Sequence, residues 1–217
     1  MFNRTLHLIS TVFHPAFIFP LTLLLFTDFL NISVLGISFI FFTLLLIWAF
    51  PVIITEKIAK KEGKTVDKLN TPKEKAKITM YSLLFFSLAF ILLEIFLLSK
   101  NDMVINIFRI NFYSIFILYI GIYVSSWFLF VFYSLGLNIS MHSYSWGAIT
   151  AFFYFLIYVT GNMEMLTYLF ITITISMLVI IARLGYSNHK RWEVYTGFFT
   201  GAIIMILACW GITKIMI

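Results

Sequence analysis

Long apolar blocks separated by short polar breaks dominate the chain. Blocks of about 20 apolar residues are what a helix needs to cross a bilayer. Seven spans are expected, at about 14–31, 33–55, 78–98, 109–136, 144–160, 165–183 and 194–216. His14-Pro15 opens the first, Pro20 interrupts it, and Pro51 lies near the end of the second. The mildly amphipathic residues 1–13, with Arg4 and His7, are expected at the membrane interface. The fourth span is long enough to tilt or project beyond the lipid. The longest hydrophilic stretch is a loop, 56–77, with eight lysines: Lys57, Lys60, Lys61, Lys64, Lys68, Lys73, Lys75 and Lys77. Asn138-Ile-Ser-Met-His-Ser143 is a short polar break, and Gly161-Asn162 turns the chain. No repeat at a fixed period and no second domain are evident. The expected fold is an all-α, polytopic transmembrane helical bundle of six to seven spans, forming one domain over 1–217.

The parity of the spans has a consequence for chemistry. Spans three and four form one hairpin, and spans five and six another. The lysine loop, the Ser140/His142 break and the segment Arg183–Glu193 then all lie on one side of the membrane. Three polar segments can converge there on one pocket.

Composition agrees with an integral membrane protein. Only 11% of residues are charged and 62% are hydrophobic, where a soluble domain carries roughly 25% charged residues. Mean hydropathy is +1.02. The single cysteine, Cys209, has no intrachain partner and says nothing about redox compartment. No small-residue cleavage site follows the first apolar part, so the N-terminus reads as retained. The net charge of +6 is no signal for nucleic acid, because the cations sit in short loops.

Arg183-x5-His189-x3-Glu193 puts an arginine, a histidine and an acid within eleven residues, between two apolar spans. Membranes exclude such groups unless they are paired or face a wet cavity. If the end of this stretch is helical, His189 and Glu193 lie one turn apart on one face. The carboxylate can then hold one ring nitrogen and leave the other as nucleophile or base. With His142, Ser140 and the loop cations, the inventory suits phosphoryl transfer without a metal. Cations neutralise the phosphate oxygens, one histidine attacks phosphorus, and the other protonates the leaving alkoxide. No HExxH or CxxC motif is present and the acids are scattered. Other features read structurally. Lys190 and Arg191 flank spans, and His7 and His14 are interfacial. Glu94, inside span three, is neutral or paired. Gly197-x3-Gly201 permits close helix packing.

Ser140-Met-His142 with Arg183-x5-His189-x3-Glu193 resembles the second and third motifs of the type 2 phosphatidic acid phosphatase (PAP2) superfamily, Ser-Gly-His and Arg-x5-His-x3-Asp. Phe13-His14-Pro15 and the hairpin layout are similar to its small bacterial membrane members. The resemblance implies a helical membrane bundle in the bacterial inner membrane, with metal-independent, cofactor-free hydrolysis of a lipid phosphate or prenyl diphosphate. It implies His189 as the nucleophile that becomes phosphohistidine and His142 as general acid. It implies Glu193 as the orienting acid, and Arg183 and Ser140 as phosphate ligands. The first motif, Lys-x6-Arg-Pro, is matched only in spacing by Lys68-x6-Lys75-Ala76, with Lys73 and Lys77 as further phosphate partners. Lysine lacks arginine's bidentate fork. Glu193 is one methylene longer than the usual Asp, and Ile139 and Met141 replace the family's Pro and Gly.

Twelve lysines and arginines fall on the motif side and three on the other. Positive-inside counting puts the motif side in the cytoplasm, although a phosphate site recruits cations for its own chemistry. Two alternatives stay open: a catalytically inactive PAP2-like protein that binds phospholipid, and a small anion transporter. The partners expected are a lipid phosphate and the bilayer. Oligomeric state and the identity of the lipid are not legible.

Overall fold

Thr71-Pro-Lys-Glu74 starts the first long helix among the described residues. The Glu74 carboxylate accepts from the Thr71 amide at 3.0 Å, and the Glu74 amide donates to the Thr71 hydroxyl at 3.3 Å. This reciprocal box satisfies two donors that a helix start leaves orphaned. In the computed structural model, which describes residues 5, 6, 9, 13, 53–61, 63, 71–98, 102–186 and 189–216, that helix is α1 (Pro72–Leu98). Of 89–98, 102–116, 186, 215 and 216 only the backbone is described. Four helices follow: α2 (Asp102–Ser134), α3 (Met141–Thr160), α4 (Met165–Tyr186) and α5 (Arg191–Met216). A shorter helical stretch covers 53–61. The described residues contain helices, turns and no strand.

Among the described residues, three helices are long and apolar enough to cross a membrane: Ile117–Ser134, Met165–Gly185 and Arg191–Lys214. Their length and composition are those of membrane-spanning helices and point to a helical membrane protein. Of the six to seven spans expected, the first two, 14–31 and 33–55, lie outside the described residues except for 53–55. The chain expected at 144–160 is helical from Met141, and its residues Ser143 to Leu156 are mostly buried. It packs chiefly against α5 and α4. A helix shielded by other helices can carry Ser, Gly, Thr and Tyr at little cost, which dilutes its hydropathy.

Two expected boundaries shift. The lysine stretch is not one loop. Lys57, Lys60 and Lys61 are exposed on helix, and Lys73, Lys75 and Lys77 lie in the first turns of α1. Residues 1–13 are not purely interfacial either. Leu6 is buried, and the Phe13 carbonyl accepts from the Trp146 indole at 3.0 Å.

α2 is 33 residues long, roughly 50 Å at 1.5 Å per residue, more than the ~30 Å of hydrocarbon. It stops at Gly136, whose φ of 82° is left-handed. The Gly136 and Leu137 amides return to the carbonyls of Tyr133 and Phe132 at 3.0 and 2.9 Å, closing the helix end.

The seam between α3 and α5 is set by small residues. A side chain at Gly201 would collide with the Tyr144 carbonyl, and one at Gly197 would come within 2.9 Å of the Ser140 carbonyl. The packing role expected for Gly197-x3-Gly201 is what the structure has. Gly201→Val should push α5 off α3 and lower stability by at least about 1–3 kcal/mol, the usual cost of overpacking. Gly211, with open space around its Cα, is the control. Thermal unfolding in detergent should show a large loss for Gly201→Val and little for Gly211→Val.

Candidate active site

Four chain segments meet at one end of the bundle. The Ser140 amide donates to the Glu193 carbonyl at 3.1 Å, joining the start of α3 to the start of α5. His142, half-buried in the first turn of α3, and His189, four residues before Glu193, therefore lie at the same end. α4 ends there with Arg183 in its last turn. α1 begins there with Lys75.

Glu193 holds the cluster together. It sits in the first turn of α5, 5% exposed. One carboxylate oxygen lies 2.7 Å from His189 Nδ1 and accepts the Lys190 amide at 3.3 Å. The second accepts from Asn138 Nδ2 at 3.4 Å. Its reach back to Lys190 is the acidic half of a capping box, and a negative charge at a helix N-terminus is favoured by the helix dipole. One side chain thus both closes the helix end and holds His189. His189 itself precedes the helix, so the one-turn contact comes from Glu193 reaching back.

A carboxylate can only accept, so Nδ1 carries the hydrogen and Nε2 keeps its lone pair. Burial first, and then the charge of Lys75, hold the imidazole below its ordinary pKa; the Glu193 hydrogen bond opposes them and Arg183 adds to them. The carboxylate's pull is offset by the two cations, so the ring stays neutral in the neutral range.

Lys75 is buried, 7% exposed, among the three lysines at the start of α1. Its Nζ donates to Asn138 Oδ1 at 2.6 Å and lies 5.8 Å from the centre of the Tyr133 ring. Burial, and then the Arg183 charge, lower its pKa to about 8, with Glu193 and Glu74 pulling upward. Lys73 and Lys77 are exposed. Helix positions two apart face nearly opposite ways, so the structure brings Lys75 into the cluster and leaves Lys77 outside it. Lys68 lies outside the described residues, as do His7 and His14.

Arg183 is half-buried and its charge is felt by both Lys75 and His189. Ser140 is fully enclosed, and its hydroxyl accepts from Ser143 at 3.3 Å rather than capping α3. Two contributors had no role in the sequence reading. Asn138 links Lys75 to Glu193, and Tyr133 donates to the Ile139 carbonyl at 3.0 Å, pinning the break. The Thr71-x-x-Glu74 spacing that places Lys75 was visible in the sequence; nothing marked Asn138 or Tyr133. Comparison with protein-family models, with curated proteins and with solved structures returns no match.

Proposed function

We propose that the protein is a membrane phosphatase of PAP2 type, a six- to seven-span bundle that hydrolyses a lipid phosphate or prenyl diphosphate without a metal. The observation that carries this reading is the 2.7 Å contact between His189 Nδ1 and Glu193, flanked by Lys75 and Arg183. A neutral imidazole with one nitrogen held and the other free is a nucleophile, and two nearby cations match the charge of a phosphoryl group.

His189 Nε2 attacks phosphorus in line, forming the N–P bond as the P–O bond to the lipid breaks. His142 gives its proton to the departing oxygen. The Nδ1 hydrogen stays on the ring, donated to the Glu193 carboxylate, so the phosphorylated imidazole is cationic and the carboxylate balances its charge. Water then loses a proton to His142 and attacks phosphorus, releasing inorganic phosphate and restoring His189. Lys75 and Arg183 hold the phosphoryl oxygens; the phosphate contact expected of Ser140 does not fit a side chain that is 0% exposed and engaged with Ser143. The lipid tail stays among the apolar helices, and the membrane is a bacterial plasma membrane.

Purified protein in detergent with EDTA, given short-chain phosphatidate and prenyl diphosphate, should release phosphate. His142→Ala should lose most of that release. A protein that moves anions across vesicles and releases no phosphate would be the transporter instead.

The pH profile has a defined sign. Lys75 loses its charge as pH rises through about 8, so kcat/KM should fall on that alkaline side, because it reports the free protein. Lys75→Arg, which keeps its charge to pH above 12, should remove that limb. Stability runs the other way. The folded pKa lies below the ordinary lysine value of 10.5, so the cost of burying the ammonium is full below pH 8 and fades as pH rises towards 10.5.

A further inference from the structure

Asn138 stands between two groups of opposite charge on different helices. Its Oδ1 accepts from Lys75 Nζ at 2.6 Å, and its Nδ2 donates to Glu193 at 3.4 Å, the longer and weaker contact. An ammonium only donates and a carboxylate only accepts, so one orientation of the amide satisfies both. The backbone around it is fixed on both sides. Before it, the end of α2 closes on the Tyr133 and Phe132 carbonyls; after it, the Tyr133 hydroxyl holds the Ile139 carbonyl and the Ser140 amide holds Glu193.

A lysine needs such a partner. Arginine brings a rigid fork that sets its own geometry on a phosphate. Lysine is a point charge on a flexible stem and has no preferred direction. One of the three ammonium protons points to Asn138, which leaves two for phosphate oxygens. The same amide also steadies the carboxylate that holds the attacking imidazole.

We propose that Asn138 is a positioning residue that locks the α1 ammonium and the α5 carboxylate into one register, so that cation and imidazole meet the same phosphoryl group. This rests on the phosphatase reading of the site. It explains how a lysine serves where the resembling family has arginine: the aim comes from a neighbour instead of from a guanidinium fork.

The test uses the full chain in detergent, with phosphate release from short-chain phosphatidate and a titration of ¹⁵N-labelled His189 by NMR. Asn138→Leu removes both contacts, and Asn138→Asp replaces the donor to Glu193 with a second carboxylate. Both should lower kcat by about 10-fold to 10²-fold, the scale of a misplacement at a reacting group, with a smaller change in KM. In a Lys75→Arg background, Asn138→Leu should cost several-fold less, because the guanidinium sets its own geometry. The charged groups around the imidazole are Lys75 from α1, Arg183 from α4 and Glu193 from α5. Asn138→Leu changes no charge in that set, so a shift of the His189 titration in this variant reports loss of the amide bridge to Lys75 and Glu193. A residue that only packs would alter the melting temperature, leave the titration in place and cost the same in both backgrounds; that result overturns the proposal. If the wild-type chain releases no phosphate from any probe but the titration still moves, the hydrolase reading fails and the bridge stands. An unmoved titration in an active enzyme sinks the bridge alone.

Discussion

His189→Ala is expected to lower phosphate release by at least ~10³-fold, as removal of a covalent nucleophile does elsewhere, while the bundle stays folded. The chemical step needs a group that bonds to phosphorus, and Nε2 of this imidazole is left free because Glu193 occupies Nδ1 at 2.7 Å. Alanine leaves the cations in place, so the lipid phosphate should still bind. KM should change much less than kcat. The fold should survive because residue 189 precedes α5, and that helix is closed by Glu193 on the Lys190 amide. Circular dichroism and the melting temperature check the fold, and phosphate release checks the chemistry. An alanine variant that keeps a tenth of the wild-type rate would remove His189 from the mechanism.

Glu193→Gln should cost roughly 10²-fold or more in kcat. The carboxylate takes three donors: the His189 ring, the Lys190 amide and the Asn138 side chain. Glutamine has one oxygen and one NH2 group. With its oxygen towards His189, its NH2 meets the NH2 of Asn138. With its NH2 towards His189, the ring must shift its proton to Nε2, which silences the attacking nitrogen. Either way the negative charge that stabilises the developing imidazolium is gone. A wrong tautomer of this kind costs up to about 10⁴ in serine proteases. The variant should fold and bind the phosphate group, so KM should stay within a few-fold. Phosphate release over a range of short-chain phosphatidate separates the two constants.

Helix existence was legible because long apolar blocks leave little choice of structure, and the spans expected at 109–136, 144–160, 165–183 and 194–216 are helical but for the turn at Leu135-Gly136. Helix starts were less legible. The expectation of a loop through Lys77 weighed the charges of the lysines and overlooked Thr71-x-x-Glu74, which begins α1 at Pro72. The shared end of the polar segments follows from counting spans. What a count cannot supply is which lysine turns inward. That depends on the Tyr133 ring and the Asn138 amide, whose positions follow from where Gly136 stops α2. The Glu193–His189 spacing was readable as a pair, and its second task at the helix end was not, because it needed the start of α5 at Arg191. Asn138 carries no pattern at all in the sequence. Its part depends on three helices arriving together.

The most direct measurement is the fate of the phosphoryl group on the His142→Ala protein with p-nitrophenyl phosphate. This leaving group needs no proton from His142, whereas the attack of water still needs its base. The account predicts a rapid burst of one nitrophenol per protein and a phosphate label, stable to alkali, that maps to His189. Steady turnover with no burst, or a label at any other residue, would contradict it.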